Sequence, residues 1–187
     1  MTLWEGQMLR IIGIIVVILV VVVAGVLLYA LTRPDTFHVE RSIAIKAPPE
    51  RIFALIDDFH KWSGWSPYEK LDPAMTRKLS GVDSGKGAVY EWASDGRAGQ
   101  GRMEIVDSVP PSRAMIKLDF TKPFEGHNIV TFTVKSGSDS NDVTWAMDGP
   151  SPYITKVMGI FVSMDSLVGK DFETGLASLK SLAESGQ

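Results

Sequence analysis

The chain has no cysteine and only three histidines in its 187 residues. The first absence excludes disulfides, thiolate metal sites and cysteine nucleophiles, and it fits either side of a membrane. His38, His60 and His127 are scattered and form no H-E-x-x-H pair, so no metal is expected. Positive charge is not in excess. The net charge is −3 and the pI about 5.6, which argues against a nucleic-acid partner. There is no G-x-S-x-G elbow of a serine hydrolase. The run from Gly81 to Gly87 is one residue short of a phosphate loop, and Gly87 stands where such a loop needs Ser or Thr. Turn chemistry explains these glycines better. Gly99 and Gly101 lack the third glycine and following helix of a dinucleotide fingerprint. No cofactor is expected.

What the chain does have is one long apolar run. Residues 11–31 read I-I-G-I-I-V-V-I-L-V-V-V-V-A-G-V-L-L-Y-A-L, between Arg10 and Arg33. About twenty such residues suffice for an α-helix to cross a bilayer. The β-branched residues would favour a strand in water, but in lipid the backbone must satisfy its own hydrogen bonds. Trp4 and Tyr29 stand where interfacial aromatics are common. A cleaved signal peptide would have a shorter core and a small-x-small site, for which Ala30-Leu31-Thr32 is a poor match. The expected organisation is a tail over 1–10, a transmembrane helix over 11–31, a linker over 32–36 and one domain over 37–187. Arg10 and the amino terminus oppose Arg33, Arg41 and Lys46 across the span, and the expectation adopted is an extracytoplasmic domain of a single-pass membrane protein.

Within the domain the periodicity changes from segment to segment. Phe37, Val39, Ile43 and Ile45 alternate onto one strand face that Arg41 interrupts. Ala47-Pro48-Pro49-Glu50 carries helix-start signals, and Ile52, Leu55, Ile56 and Phe59 form the stripe of a short helix, with Phe53 at its edge. His60 to Met75 is an aromatic, proline-broken loop, either a lid of core aromatics or the border of a ligand entrance at Trp62, Trp65 and Tyr68. Short alternating runs separated by turns then fill residues 76–149, as in an antiparallel sheet. Their predicted inward residues include Tyr90, Trp92, Met103, Ile105, Ile116, Leu118, Phe120, Val130, Phe132, Val134, Val143, Trp145 and Met147. The same alternation puts Glu91 and Glu104 on the outer face. Residues 151–164 read as a mostly helical lead-in that Gly159 could bend. From about Asp165 to Ala183, Val168, Phe172, Leu176, Leu179 and Ala183 recur at helical spacing, so a long helix must bury that stripe against the sheet. Gly169 and Gly175 weaken such a helix by roughly 1 kcal/mol each relative to Ala, which leaves three readings: close approach to the sheet, close approach to a bound molecule, or glycines that are simply tolerated.

The order of these elements is that of the helix-grip arrangement, an α+β fold with a curved antiparallel sheet around a long C-terminal helix, here preceded by one transmembrane helix. The stretch V-E-R-S-I-A-I-K-A-P-P-E-R-I-F-A-L-I-D-D-F-H-K-W-S-G-W-S-P-Y-E-K-L-D-P resembles the opening of SRPBCC proteins of the polyketide cyclase/dehydrase-like group, within the START-like, birch-pollen-allergen superfamily. G-K-G-A-V-Y-E-W, G-Q-G-R-M-E-I, V-T-W-A-M-D-G and the block from Met158 to Lys180 are similar to its later blocks. The resemblance spans Phe37 to Glu184 and implies the fold. That superfamily includes lipid carriers, hormone receptors, cyclases and chaperone activators, so fold alone does not name the function.

Three functions follow as expectations. The first is a membrane-anchored binding module for an apolar small molecule or lipid, held between sheet and C-terminal helix. Its expected lining is Trp62, Trp65, Trp92, Phe120, Phe132, Trp145, Met147, Met164, Val168 and Phe172. The second is a cyclase or dehydratase acting on a hydrophobic polyketide-like substrate. Glu69 and Tyr68 are then the acid–base candidates and Arg41 an anion holder. The third is a protein-interaction domain of the chaperone-activator kind, with a filled core.

Overall fold

The computed structural model describes residues 3–96 and 98–186. The chain divides into two units, one of residues 1–35 with 151–163 and the other of residues 36–150 with 164–187.

The first unit is built on helix α1, Leu3–Leu31. Within it, Arg10–Leu31 is a stretch of 22 residues long and apolar enough to cross a membrane. Its side chains are exposed except for the partly buried Val26 and the buried Ala30, Ile14, Val17, Val21 and Leu28 being among the exposed ones. Packed beside the last turns of α1 is the short helix α3, Tyr153–Met158. Gly159 ends α3, donating its N–H to Thr155 O, so the expected bend is a stop and not a kink. Tyr153 donates its hydroxyl to Leu27 O at 2.9 Å, and Lys156 pairs with Asp35.

The second unit is a seven-stranded antiparallel sheet in the order β1-β7-β6-β5-β4-β3-β2. The strands are β1 Thr36–Ile45, β2 Thr76–Gly81, β3 Ala88–Ala93, β4 Gln100–Val109, β5 Arg113–Lys122, β6 Gly126–Ser136 and β7 Asn141–Pro150. Helix α2, Pro49–Ile56, follows β1, and α4, Met164–Glu184, lies across the concave face. The architecture is therefore the helix grip that the periodicities predict. The register of β4 against β5 shifts between Gln100 and Gly101 and between Ile105 and Asp107. Such irregularities bend a strand and increase its twist, and here they curve the middle of the sheet.

The aromatic loop is ordered because its indoles find partners. It forms two 3₁₀ turns, Phe59–Gly64 and Pro67–Lys70. Trp62 Nε1 donates to Ile56 O and Trp65 Nε1 to Leu55 O, both at 2.9 Å. Helix α2 ends there, and its last carbonyls would otherwise lack donor partners. One end of each ring is thus satisfied while the body packs inward, as buried tryptophans require.

The core condenses where α4 meets β7. Phe172 stacks on Trp145 with centroids 4.3 Å apart and planes 10° from parallel. Trp65 and Phe132 press edge or tilted faces against the same indole. Gly175 is the residue that lets the helix come this close. A Cβ there would lie 2.6 Å from Trp145 Cζ3 and 2.9 Å from Pro67 Cδ. Close approach to the sheet is thus the reason for this helix-weakening glycine.

Two stability measurements on the full chain in detergent micelles check this packing, using urea unfolding followed by near-UV circular dichroism. Phe172→Ala should lower the unfolding free energy by about 3–5 kcal/mol, since a 1 %-exposed ring loses all its neighbours. A loss under about 1 kcal/mol would mean that the ring is not packed as described. Gly175→Ala should cost about 1–3 kcal/mol despite its better helix propensity, because the indole and Pro67 must shift; a stabilised variant would contradict the close approach.

Candidate functional site

The concave face is not uniformly filled. At one end Ile45, Val143, Leu179 and Ala183 are fully buried. At the other, where β1 begins, β7 ends and α4 begins, Phe37, Trp92, Phe120, Met164 and Val168 pack against the core but remain half-buried. The ten predicted lining residues divide along this gradient. Trp62, Trp65, Phe132, Trp145, Met147 and Phe172 are buried core, whereas Trp92, Phe120, Met164 and Val168 border the looser end.

Cross-strand pairing shapes that end. Gly101 lies directly between Trp92 of β3 and Phe120 of β5. The two rings meet edge to face over it at 5.6 Å, and a Cβ on Gly101 would lie 2.4 Å from Trp92 Cη2. Trp92 Nε1 donates to Ala98 O at 3.0 Å, which holds the indole down. Phe37 lies over Gly149, its partner in β7, in the same way. Aromatic rings lying on glycines make a low apolar floor. The strand alternation identifies these rings as inward, but only the register reveals the glycine opposite each one.

Trp145 Nε1, within the packed aromatics, finds no acceptor within the protein, one of few such buried side-chain atoms among the described residues. A buried donor left unpaired is costly. It lies on the opposite edge of the indole from the Cζ3 atom that faces Gly175.

The three polar candidates are all placed, but not together as one constellation. Glu69 is largely buried and engaged at both oxygens, accepting from Arg77 Nε and from the Tyr90 hydroxyl, each at 2.6 Å. Arg77 also donates to Glu69 O. Burial and the adjacent Glu69 raise the Tyr90 phenol well above its ordinary value. Arg77 and Tyr90 complete this cluster, and sequence spacing gives no hint of it, since they come from different strands. Tyr68 sets its ring edge-on to Trp145 at 6.3 Å, and burial followed by the nearby Asp171 raises its phenol. Arg41 is an anion holder for the protein's own carboxylates. Its guanidinium binds both oxygens of Asp165 at 2.7 and 3.1 Å and Glu173 at 2.7 Å, both on α4. It occupies the space over Gly169, where a Cβ would lie 2.2 Å from Nη2. This explains both the charge on an apolar strand face and the second helix-weakening glycine. The pair holds Asp165 below the usual carboxylate range.

Two recesses are formed elsewhere on this unit, and none of the ten predicted lining residues borders either. One of about 140 Å³ lies between Phe59 and the β2–β3 turn. The other, about 320 Å³, lies between α2 and the turns at Ser84 and Pro110-Pro111, with Asp57 in its wall. Burial raises the Asp57 carboxyl above its ordinary 3.8, Ser108 pulls it partly back, and Asp58 adds to the rise. Neither Asp57 Oδ1 nor Ser108 Oγ completes a hydrogen bond of good geometry. Among the described residues no group of three or more His, Asp or Glu side chains is placed to hold a metal ion.

A family model described as polyketide cyclase/dehydrase and lipid transport matches residues 36–184. The chain belongs to this family. Among solved structures, the ginseng major latex-like protein 151 of Panax ginseng superposes with a TM-score of 0.60 at 15% identity, covering 81% of this chain and 99% of that one. The solution structure of the Aha1 dimer from Colwellia psychrerythraea gives 0.55 at 17% identity, covering 81% and 98%. Protein CV1439 from Chromobacterium violaceum gives 0.55 at 20% identity, covering 81% and 99%. At these identities the likeness establishes the fold. No curated protein matches the chain at a significant level.

The Asp57 environment gives a pH-dependent expectation. Its folded-state pKa lies above the unfolded value, so folding favours the protonated form. The associated stability is complete below pH 3.8 and is lost as pH rises through the higher folded value. Asp57→Asn should remove this loss, so the variant should unfold at higher urea than the parent at pH 7, with the difference shrinking toward pH 4. Equal midpoints at both pH values would show that the carboxyl is not desolvated.

Proposed function

We propose that the chain is a single-pass membrane protein whose helix-grip unit binds an apolar small molecule or lipid at the loose end of the grip. Residues 10–31 form the anchor. Trp92, Phe120, Met164 and Val168 form the apolar contact surface. The observation that carries this reading is the difference in burial along one concave face: Ile45, Val143, Leu179 and Ala183 have zero exposure at one end, and Trp92, Phe120, Met164 and Val168 are partly exposed at the other. A water-exposed concave surface of this kind is where an apolar ligand gains most from leaving solvent. The family description, which includes lipid transport, supports the same substrate class. A catalytic reading has less support, because the carboxylate of Glu69 and the guanidinium of Arg41 are consumed in internal ion pairs.

The test is native mass spectrometry of the full chain purified in detergent from a membrane extract, with organic extraction of whatever is retained. Retained apolar molecules are expected, and Val168→Glu, which puts a charge into the contact surface, should weaken retention of a fluorescent fatty acid about tenfold, or ~1.4 kcal/mol. A parent protein that is ligand-free and shows no thermal shift with fatty acids, phospholipids or sterols would reject the binding reading in favour of a protein-interaction domain.

A further inference from the structure

The segment between β7 and α4 is unusual for a surface stretch. Residues 151–163 read S-P-Y-I-T-K-V-M-G-I-F-V-S and hold a single charged residue, Lys156, which is already paired with Asp35. Ile154, Met158, Phe161 and Val162 are between half and three-quarters exposed. Scattered exposed apolar residues are ordinary, but a contiguous patch marks an interaction surface.

Two contacts within the first unit determine what covers it. Tyr153 donates to Leu27 O at 2.9 Å, and Lys156 reaches Asp35 just past the end of α1. The apolar stretch of α1 runs from Arg10 to Leu31. At 1.5 Å of rise per residue it is about 33 Å long, close to the ~30 Å of a bilayer core. Leu27 therefore lies about one helical turn inside the end of the span. Tyr153 sits at that depth with its ring in the region tyrosines favour, between headgroup and acyl chain. Lys156 sits a turn farther out, where its ammonium reaches a carboxylate on the aqueous side. On α1 itself the apolar side chains of Leu27, Leu28 and Leu31 are exposed as well.

We infer that residues 153–162 form a membrane-seated foot, a short interfacial segment whose Ile154, Met158, Phe161 and Val162 side chains enter the bilayer beside the span. The inference rests on the anchor reading above. Its occupant is the lipid surface. A second copy of the chain or a soluble protein would need to reach a patch that the contacts to Leu27 and Asp35 hold at the bilayer boundary. A segment of this kind adds apolar contact at the interface and fixes the rotation of α1 about its own axis, since only one side of the helix carries it.

The full chain in lipid nanodiscs of phosphatidylcholine and phosphatidylglycerol tests this. The chain lacks cysteine, so Val17→Cys, Lys135→Cys, Ile154→Cys, Met158→Cys and Phe161→Cys each accept one environment-sensitive fluorophore. Quenching is read with iodide from water and with a nitroxide placed high on the lipid tail. Labels at 154, 158 and 161 should be quenched by the lipid nitroxide and show iodide quenching reduced about tenfold relative to position 135. The label at 17 should be shielded from iodide and, lying deeper, be quenched less by the shallow nitroxide. If 154, 158 and 161 behave like 135 while 17 remains shielded, the anchor stands and the foot is wrong. If 17 is also open to iodide, the anchor reading fails and the foot with it. Protection of 154, 158 and 161 from both quenchers would show a protein cover and overturn the lipid assignment.

Discussion

The fit of α4 onto β7 is the constraint on which the helix-grip unit depends. Phe172 and Trp145 lie face to face at van der Waals distance. That is possible only because Gly175 leaves space for the indole edge and Gly169 leaves space for Arg41. Aromatic stacking adds to area burial, but its distance dependence is steep, so a side chain at position 175 would lift the helix, and one at position 169 would displace the Arg41 guanidinium. Arg41 then fixes the helix along its axis by holding Asp165 and Glu173, one on each side of Gly169. Packing sets the height of the helix over the sheet, and the ion pairs set its position along β1.

Much of this was legible in the residue pattern, because burial of a stripe or a face leaves a period. The alternation of Phe37, Val39, Ile43 and Ile45, and the spacing of Val168, Phe172, Leu176, Leu179 and Ala183, translate directly into β1 and α4. The aromatic loop was legible only as an ordered loop. Its 3₁₀ turns depend on indole hydrogen bonds to Ile56 and Leu55 that no local pattern specifies. Nor does periodicity distinguish a core side chain from a pocket wall, since both face inward. Phe132 and Phe120 alternate alike, yet one is fully buried and the other is not. The difference arises from what lies opposite: Trp62, Trp65 and Trp145 around Phe132, and glycine on the strands flanking Phe120.

Polar residues were harder still. Arg41 stood out as a charge on an apolar face, but its carboxylate partners lie more than a hundred residues away. Glu69 read as an acid–base candidate, whereas the fold delivers Arg77 and Tyr90 to it from β2 and β3. Charges in a grip fold are sorted by topology. Those brought to a helix or strand edge become clamps, which leaves a largely apolar concave face.

The position of α4 in the chain has a consequence for how the protein is made. The side chains that close the sheet, down to Leu179 and Ala183, come after every strand they cover. A ribosome working at about 5–20 residues per second needs roughly 8–30 s to pass from β1 to the end of α4. Through that interval the strands have no helix to bury their concave face, while the apolar α1 segment has long since emerged. A nascent chain would spend this time with the concave face of its sheet uncovered. Holding factors that act then, and the rate of elongation through residues 151–184, become determinants of yield.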